Sequence, residues 1–300
     1  MNTAAMTIDV EDYYHVHAFK DSILRSDWSG MESRVEANTH RMLDLFDQTQ
    51  TKATFFTLGC VAAEHPGIVK RIVADGHELA SHGQDHWAVF DQDRTAFFKD
   101  VSRSRFILED IGGVAVKGYR APSFSIDERS PWAYDALAEA GYIYSSSSHP
   151  IAHDAYGDPN ANRAPHQTDS GIIEIPVVTA TLGKKRIAAG GGGFFRLLPL
   201  GWFTRAHRQA VSEGLIPNFY LHPWEIDPGQ PRIKAAPLKS RFRHYVGLSA
   251  CESKLKRLLH GAHWTRMDEA YHGWLGGTVR PDDGTSDDIA ADAEGSRRVG

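Results

Sequence analysis

Residues 7–16 read TIDVEDYYHV. A short apolar run ends in Asp9, Glu11 and Asp12, three carboxylates within four positions, followed by two tyrosines and a histidine. The run predicts a buried strand. Side chains alternate across a strand, so Asp9 and Glu11 share one face and Asp12 points away. If the strand persists to residue 11, Glu11 stands beside Asp9; if the chain turns after Val10, Asp12 takes that place. So much negative charge at the end of a buried strand is either a solvated turn or the surroundings of something positive.

Outward from this stretch the pattern alternates. Residues 33–50 carry Val35, Thr39, Met42 and Phe46 at helical spacing, and KATFFTLGC (52–60) is β-branched and aromatic like a second buried strand. HPGIVKRIVADG (65–76) predicts a short helix with Pro near its start and Gly at its end. HELASHG (77–83) reads as a third strand, residues 94–113 as a helix with a double-Gly stop, VKGYRAPSFSI (116–126) as strand plus loop, and 130–142 as a helix. GIIEIPVVTA (171–180) and GLIPNFYLHPWEI (214–226) supply later strands. Alternation of this kind predicts parallel βα units, whose working groups gather at the C-terminal ends of the strands. Residues 145–170 and 181–196 read as long loops over that face, with AAGGGGFFR (188–196) as a flexible turn matching no phosphate-binding fingerprint. We expect one domain over residues 1–275, a helical extension from about residue 230, and a disordered tail over 276–300, which holds few large apolar residues.

Composition narrows the class. The 300 residues are 41% hydrophobic, enough for a sizeable core, and the formal net charge of −5 offers no basic field for nucleic acid. Cys60 and Cys251 match no zinc spacing and form no disulfide framework, which suits a reducing compartment. No apolar run is long enough to span a bilayer, and the N-terminus has neither a basic nor an apolar leader region. The expected location is the cytoplasm, with the cytoplasmic membrane face as an alternative. Oligomeric state is not legible.

Three further segments carry chemistry. ASHGQDHW places His82 and His86 four apart, so that one helical turn would aim both imidazoles the same way. Two histidines and a carboxylate leave coordination positions open, the plan of a catalytic metal centre. In GYRAPSF, Arg120 precedes a bend fixed by Pro122; a guanidinium there can hold a carboxylate ionised. In NFYLHPWEID, His222 ends another apolar run, with Glu225 and Asp227 following. Singly, each segment is weak. H-x-x-x-H more often marks surface or core histidines, R-x-P means almost nothing, and a lone His at a strand end is more often structural.

Taken together, the acid cluster, H-x-x-x-H, R-x-P-x-F and L-x-H resemble, in that order, the polysaccharide deacetylase family: the NodB-homology domain of carbohydrate esterase family 4. KATFFTLG and DGHELASH add to the resemblance, which covers about residues 6–225. TIDVEDYYHV, SSSSHPIAHDAYG and FRHYVGLSACESKLKRLL resemble the branch linked to exosortase and exopolysaccharide gene clusters. The resemblance implies an α/β fold, a distorted (β/α)7 barrel. It implies a divalent metal, zinc first, with cobalt or nickel as alternatives, held by His82, His86 and an acid, Glu11 or Asp12. It implies an N-acetylated polysaccharide or oligosaccharide substrate that loses acetyl. Asp9 would be the catalytic base, oriented by Arg120. His222 would be the acid, and a backbone N–H near Phe124 would face the oxyanion. Pro122 and Phe124 would shape the groove.

Where the exosortase-linked branch carries an acid, this chain has Ser145. Tyr14 and Trp87 flank the proposed site residues and are the expected groove contacts among aromatics that otherwise read as core. His15 and His77 lie near the site and read as supports for its residues or as structural. Basic residues in SRFRHYVGL and ESKLKRLLH read as a C-terminal helix face, with a polyanionic sugar contact as the minor alternative. Two rival functions remain at this point, a metallohydrolase of small cyclic amides or ureides and a non-catalytic glycan-binding module.

Overall fold

The computed structural model describes residues 3–153, 157–183 and 185–276. The expected tail beyond residue 276 lies outside them. The first strand, β1 (Thr3–Val10), is buried along almost its whole length. Its alternation decides what faces what: Ala4, Met6, Ile8 and Val10 join the large apolar layer under the helices, whereas Ala5 packs inside with Phe56, Ala80 and Tyr144. Thr7 and Asp9 share the parity of Ala5 and also face inward.

From β1 the chain runs through α1 (Val35–Gln48), β2 (Thr54–Thr57), α2 (Gly59–Glu64), α3 (Pro66–Ala74) and β3 (Glu78–Ser81). Then follow α4 (Arg94–Gly112), β4 (Gly118–Tyr119), α5 (Ala133–Glu139), β5 (Tyr144–Ser145), β6 (His166–Gln167) and β7 (Ile173–Glu174). The hairpin of β8 (Thr179–Leu182) and β9 (Lys185–Ala188) leads to α6 (Gly192–Leu197), α7 (Leu200–Ser212) and β10 (Asn218–Leu221). The chain closes with α8 (Leu238–Tyr245), α9 (Leu248–Leu259), β11 (His263–Thr265) and α10 (Met267–Ala270).

The sheet order is β10-β1-β2-β3-β4-β5-β7-β6, with β11 also on β1; every pairing is parallel except β6 with β7. The path from β10 to β7 therefore holds seven parallel strands, curled into a half-barrel wrapped by helices, the expected class. Met267, Tyr271 and Leu275 fill the lower interior against Ala5 and Phe56. Near them Glu78 accepts from Thr54 Oγ1, Tyr144 OH and the Asp268 amide, and burial lifts its pKa to about 8.

Two expectations are corrected. Residues 181–196 are not loop throughout: they include part of the β8–β9 hairpin, and the glycine stretch enters helix α6. Gly191, at φ 131°, lets the backbone pass against Tyr220, where a Cβ would come within 2.0 Å of its carbonyl oxygen. Strand β11, which the sequence does not announce, pairs with β1 at Thr3–Ala5. No helix among the described residues is long and apolar enough to cross a membrane.

Candidate metal centre and its flanking pairs

The ladder of β1 ends at Val10, yet the chain stays extended enough for Glu11 to follow Asp9 inward. Both are buried at 2% exposure. Ligand atoms of Glu11, His82 and His86 lie within 4.8 Å of one another. Asp12 does not join them. Its Oδ2 accepts from the Arg34 and Val35 amides at 2.7 and 3.0 Å and from Ser33 Oγ at 3.0 Å. That satisfies otherwise unpartnered donors at the start of α1. Of the two acids the sequence leaves open, the structure therefore brings Glu11 into the cluster and turns Asp12 away.

His82 follows β3 directly. Its Nδ1 lies 2.8 Å from the Arg120 carbonyl, which fixes the ring and leaves Nε2 for the centre. The expected helical turn between the histidines is absent: residues 82–88 form a loop, with Gly83 at φ 82° and His86 at φ 55°. Tertiary contacts hold this loop. Asp100 accepts from the Gln84 amide at 2.8 Å, and a Cβ on Gly83 would meet the same carboxylate at 2.9 Å. Arg25 donates to the carbonyls of Asp85 and His86, the latter at 2.8 Å. Its guanidinium lies 3.7 Å from the Trp87 ring and 4.7 Å from Trp28. Sequence reasoning missed Arg25, whose position carries no signal.

The donor set fits a divalent cation. Glu11 Oε2 is buried without a hydrogen bond, although His86 Nε2 lies 2.6 Å away, so the two groups converge without pairing conventionally. Burial raises the Glu11 carboxyl, but the charges of His86 and His222 outweigh it and hold Glu11 well below the usual carboxylate range. Burial takes His82 down to about 4, which keeps it neutral, the form that ligates. One carboxylate and two imidazoles suit zinc-like ions better than hard oxygen-seeking ones.

Two charged pairs flank the cluster. Arg120, 1% exposed, donates from Nη1 to Asp9 Oδ1 and to Thr7 Oγ1, both at 2.7 Å, and is anchored by Ser146 through its Nε and Nη2. On the other side His222 Nε2 lies 3.9 Å from Asp9 Oδ2 and 3.6 Å from Glu11 Oε1. Its Nδ1 meets Glu225 Oε1 at 2.7 Å. Burial disfavours the imidazolium, but Glu11, Glu225 and Asp9 prevail and raise its pKa to about 9. Glu225 is itself clamped: Arg196 Nε donates to its Oε2 at 2.6 Å. Burial opposes the Glu225 charge, but Arg196 and His222 overcome it and keep its pKa low. Asp227 is occupied elsewhere, with Arg34 and Asn38.

The cluster floors a cavity of about 600 Å³ whose walls include Phe124, Tyr220, Trp224 and residues of α6 and α8. Of the expected groove contacts only Phe124 lines it. Tyr14 is buried with Tyr13, Phe19 and Trp224, Trp87 is turned onto Arg25, and Pro122 is buried outside the lining. The Phe124 amide is not available to an oxyanion, since it donates to the Ala121 carbonyl at 3.0 Å. Ser145 pairs in register with Glu174, whose carboxylate accepts from the Ser147 and Ser148 amides.

A parallel half-barrel with a carboxylate–imidazole cluster at its strand ends is the architecture of the polysaccharide deacetylases. The model of that family, described as polysaccharide deacetylase, matches residues 27–144, and a second model, described as a domain of unknown function (DUF3473), matches residues 146–272. Residues 27–144 thus carry a polysaccharide deacetylase domain, with curated relatives of that family. A peptidoglycan-N-acetylglucosamine deacetylase of Bacillus cereus is 34% identical over 96 residues, 32% of this chain and 35% of that protein. A chitooligosaccharide deacetylase of Bradyrhizobium is 42% identical over 48 residues, 16% of this chain and 22% of that protein. The matched stretches thus span about a third or less of these relatives. A crystal structure from Mycobacterium smegmatis, provisionally assigned as a polysaccharide deacetylase, superposes with a TM-score of 0.58 at 18% identity, covering 96% of this chain and 94% of that one. It supports the fold. Asp9 and Glu11 precede the first matched segment, while His222, Glu225 and Arg196 fall in the second. The half-barrel brings Asp9, Glu11, Arg196 and His222 to one cavity.

Proposed function

We propose that this protein is a metal-dependent polysaccharide N-deacetylase that removes acetyl groups from amino-sugar residues of an exopolysaccharide. The observation that carries this reading is a cavity floor of Asp9, Glu11, His82, His86 and His222, with Arg120 behind Asp9 and Glu225 behind His222. A divalent cation held by Glu11, His82 and His86, with zinc the best match to the donors, would supply Lewis-acid polarisation of the amide carbonyl and acidification of water.

This chain's own residues account for the proton movements. Asp9, which accepts from Arg120 Nη1, takes a proton from the attacking water as its oxygen bonds to the acetyl carbon. Arg120 keeps the carboxylate aimed, through the fixed fork of its guanidinium. His222, protonated and oriented by Glu225, gives its Nε2 proton to the amine nitrogen as the carbon–nitrogen bond breaks, leaving acetate and a free amino sugar. Phe124, Tyr220 and Trp224 restrict water and offer apolar faces to a sugar ring.

Acetate release from N-acetylglucosamine oligomers tests the reading. It should vanish with a chelator and return with zinc or cobalt. Asp9→Asn should lose at least about a hundredfold in turnover while keeping its metal. Wild-type rates in Asp9→Asn would remove Asp9 from this role. Hydrolysis of cyclic ureides in place of N-acetyl sugars would make the chain a small-amide hydrolase. Glycan binding unchanged by chelation, with no acetate released, would make it a binding module.

A further inference from the structure

Helix α8 forms one lip of the cavity, and its outer face is unusual. Between Asp227 and Glu252 the chain has no acidic residue, but it carries Arg232, Lys234, Lys239, Arg241 and Arg243. Arg232, Lys234, Lys239 and Arg243 are exposed. On the same helix Leu238 and Phe242, one turn apart, stand 79% and 61% exposed, and Leu197 at the end of α6 is 53% exposed. Phe242, Lys239, Arg243 and Leu197 also line the cavity above Asp9 and His222. Of its eight residues α8 buries only His244 fully. Its remaining surface is an apolar ridge set among cations at the mouth of the site.

Each feature is unfavourable in water alone. Exposed Leu and Phe side chains gain by leaving water, and Arg232, Lys234 and Arg241 concentrate positive charge beside them. A soluble polyanion would relieve the charge but leave Leu238 and Phe242 wet. A neutral apolar partner would do the reverse. An apolar phase coated with negative headgroups satisfies both at once. We propose that α8 docks the cavity mouth onto an anionic lipid bilayer, so that substrate reaches the site at a membrane surface. Leu238 and Phe242 enter the headgroup boundary, and Arg232, Lys234 and Arg241 meet lipid phosphates. Docking is separable from turnover, so it stands or falls apart from the deacetylase reading.

The test is co-sedimentation of the full chain with vesicles of phosphatidylcholine, with and without phosphatidylglycerol. Binding to the anionic vesicles should be at least about tenfold tighter than to neutral ones and should weaken as salt rises. Leu238→Asp combined with Lys234→Glu changes residues outside the cavity lining. It should cut vesicle binding about tenfold or more, with an unchanged thermal transition and unchanged acetate release from a short soluble oligomer. Equal binding to both vesicle types, no binding to either, or full binding by the double variant overturns the proposal. Tight binding of a soluble anionic polysaccharide without vesicle binding also overturns it and makes the lip a glycan contact.

Discussion

Replacing Arg196 with Met keeps much of the side chain's length and removes its charge. In the native protein the guanidinium is almost fully buried and donates to Glu225 at 2.6 Å, to the carbonyls of His244 and Val246 at 2.6 and 2.8 Å, and to that of Arg243 at 3.1 Å. The substitution leaves Glu225, at 0% exposure, as a buried charge with only His222 to face. Removing one member of a buried ion pair costs about 3–5 kcal/mol. The three carbonyls adjoin α8 and the start of α9, near enough to the surface for water to replace some of their donors. We therefore expect Arg196→Met to destabilise the protein by about 4 kcal/mol in urea unfolding, with an unchanged denaturant slope. Adding Glu225→Gln removes the stranded charge, so the double variant should be less destabilised than the sum of the singles, with a coupling of about 2 kcal/mol. Single-variant losses below about 1 kcal/mol that simply add would show that Arg196 and Glu225 do not form the pair drawn here.

Arg25→Ala should weaken metal binding about 10–100-fold, because the loop bearing His86 loses the donor that ties the Asp85 and His86 carbonyls. Chelator competition measures this, and unchanged affinity would show that the loop holds itself. Glu78 predicts a pH effect of definite sign. Its folded pKa is raised from 4.5 to about 8, so its unfavourable contribution is absent below 4.5 and grows as pH rises to 8, at a cost on the order of 5 kcal/mol. Glu78→Gln should flatten that decline. Equal slopes in the two proteins would show that Glu78 titrates normally.

What the sequence disclosed, and what it hid, follows from the range of the forces involved. Parity along β1 is local, so Asp9 and Glu11 are legible as inward neighbours from TIDVEDYYHV itself. Long apolar-periodic helices such as α1 and α4 are legible for the same reason. The two-residue strands β4, β5 and β7 emerge only from their neighbours in the sheet. The path between His82 and His86 is not helical because Asp100, Arg25 and a positive φ at Gly83 hold it open, and those contacts come from residues distant in sequence. Trp87 sits beside the site in sequence and away from it in space because Arg25 claims its ring. Arg196 and Glu225 are separated by 29 positions, and Arg196 lies in a stretch that reads as a flexible turn.

Metal analysis of three proteins tests the central assignment most directly: the wild type, Glu11→Gln and Asp12→Asn. The wild type, reconstituted with zinc and desalted, should retain about one equivalent per chain. Asp12→Asn should retain as much, since Asp12 caps α1, and should show only a modest loss of stability. Glu11→Gln should lose the ion. A metal-free wild type, or an Asp12→Asn variant that loses zinc while Glu11→Gln keeps it, would contradict the site described here.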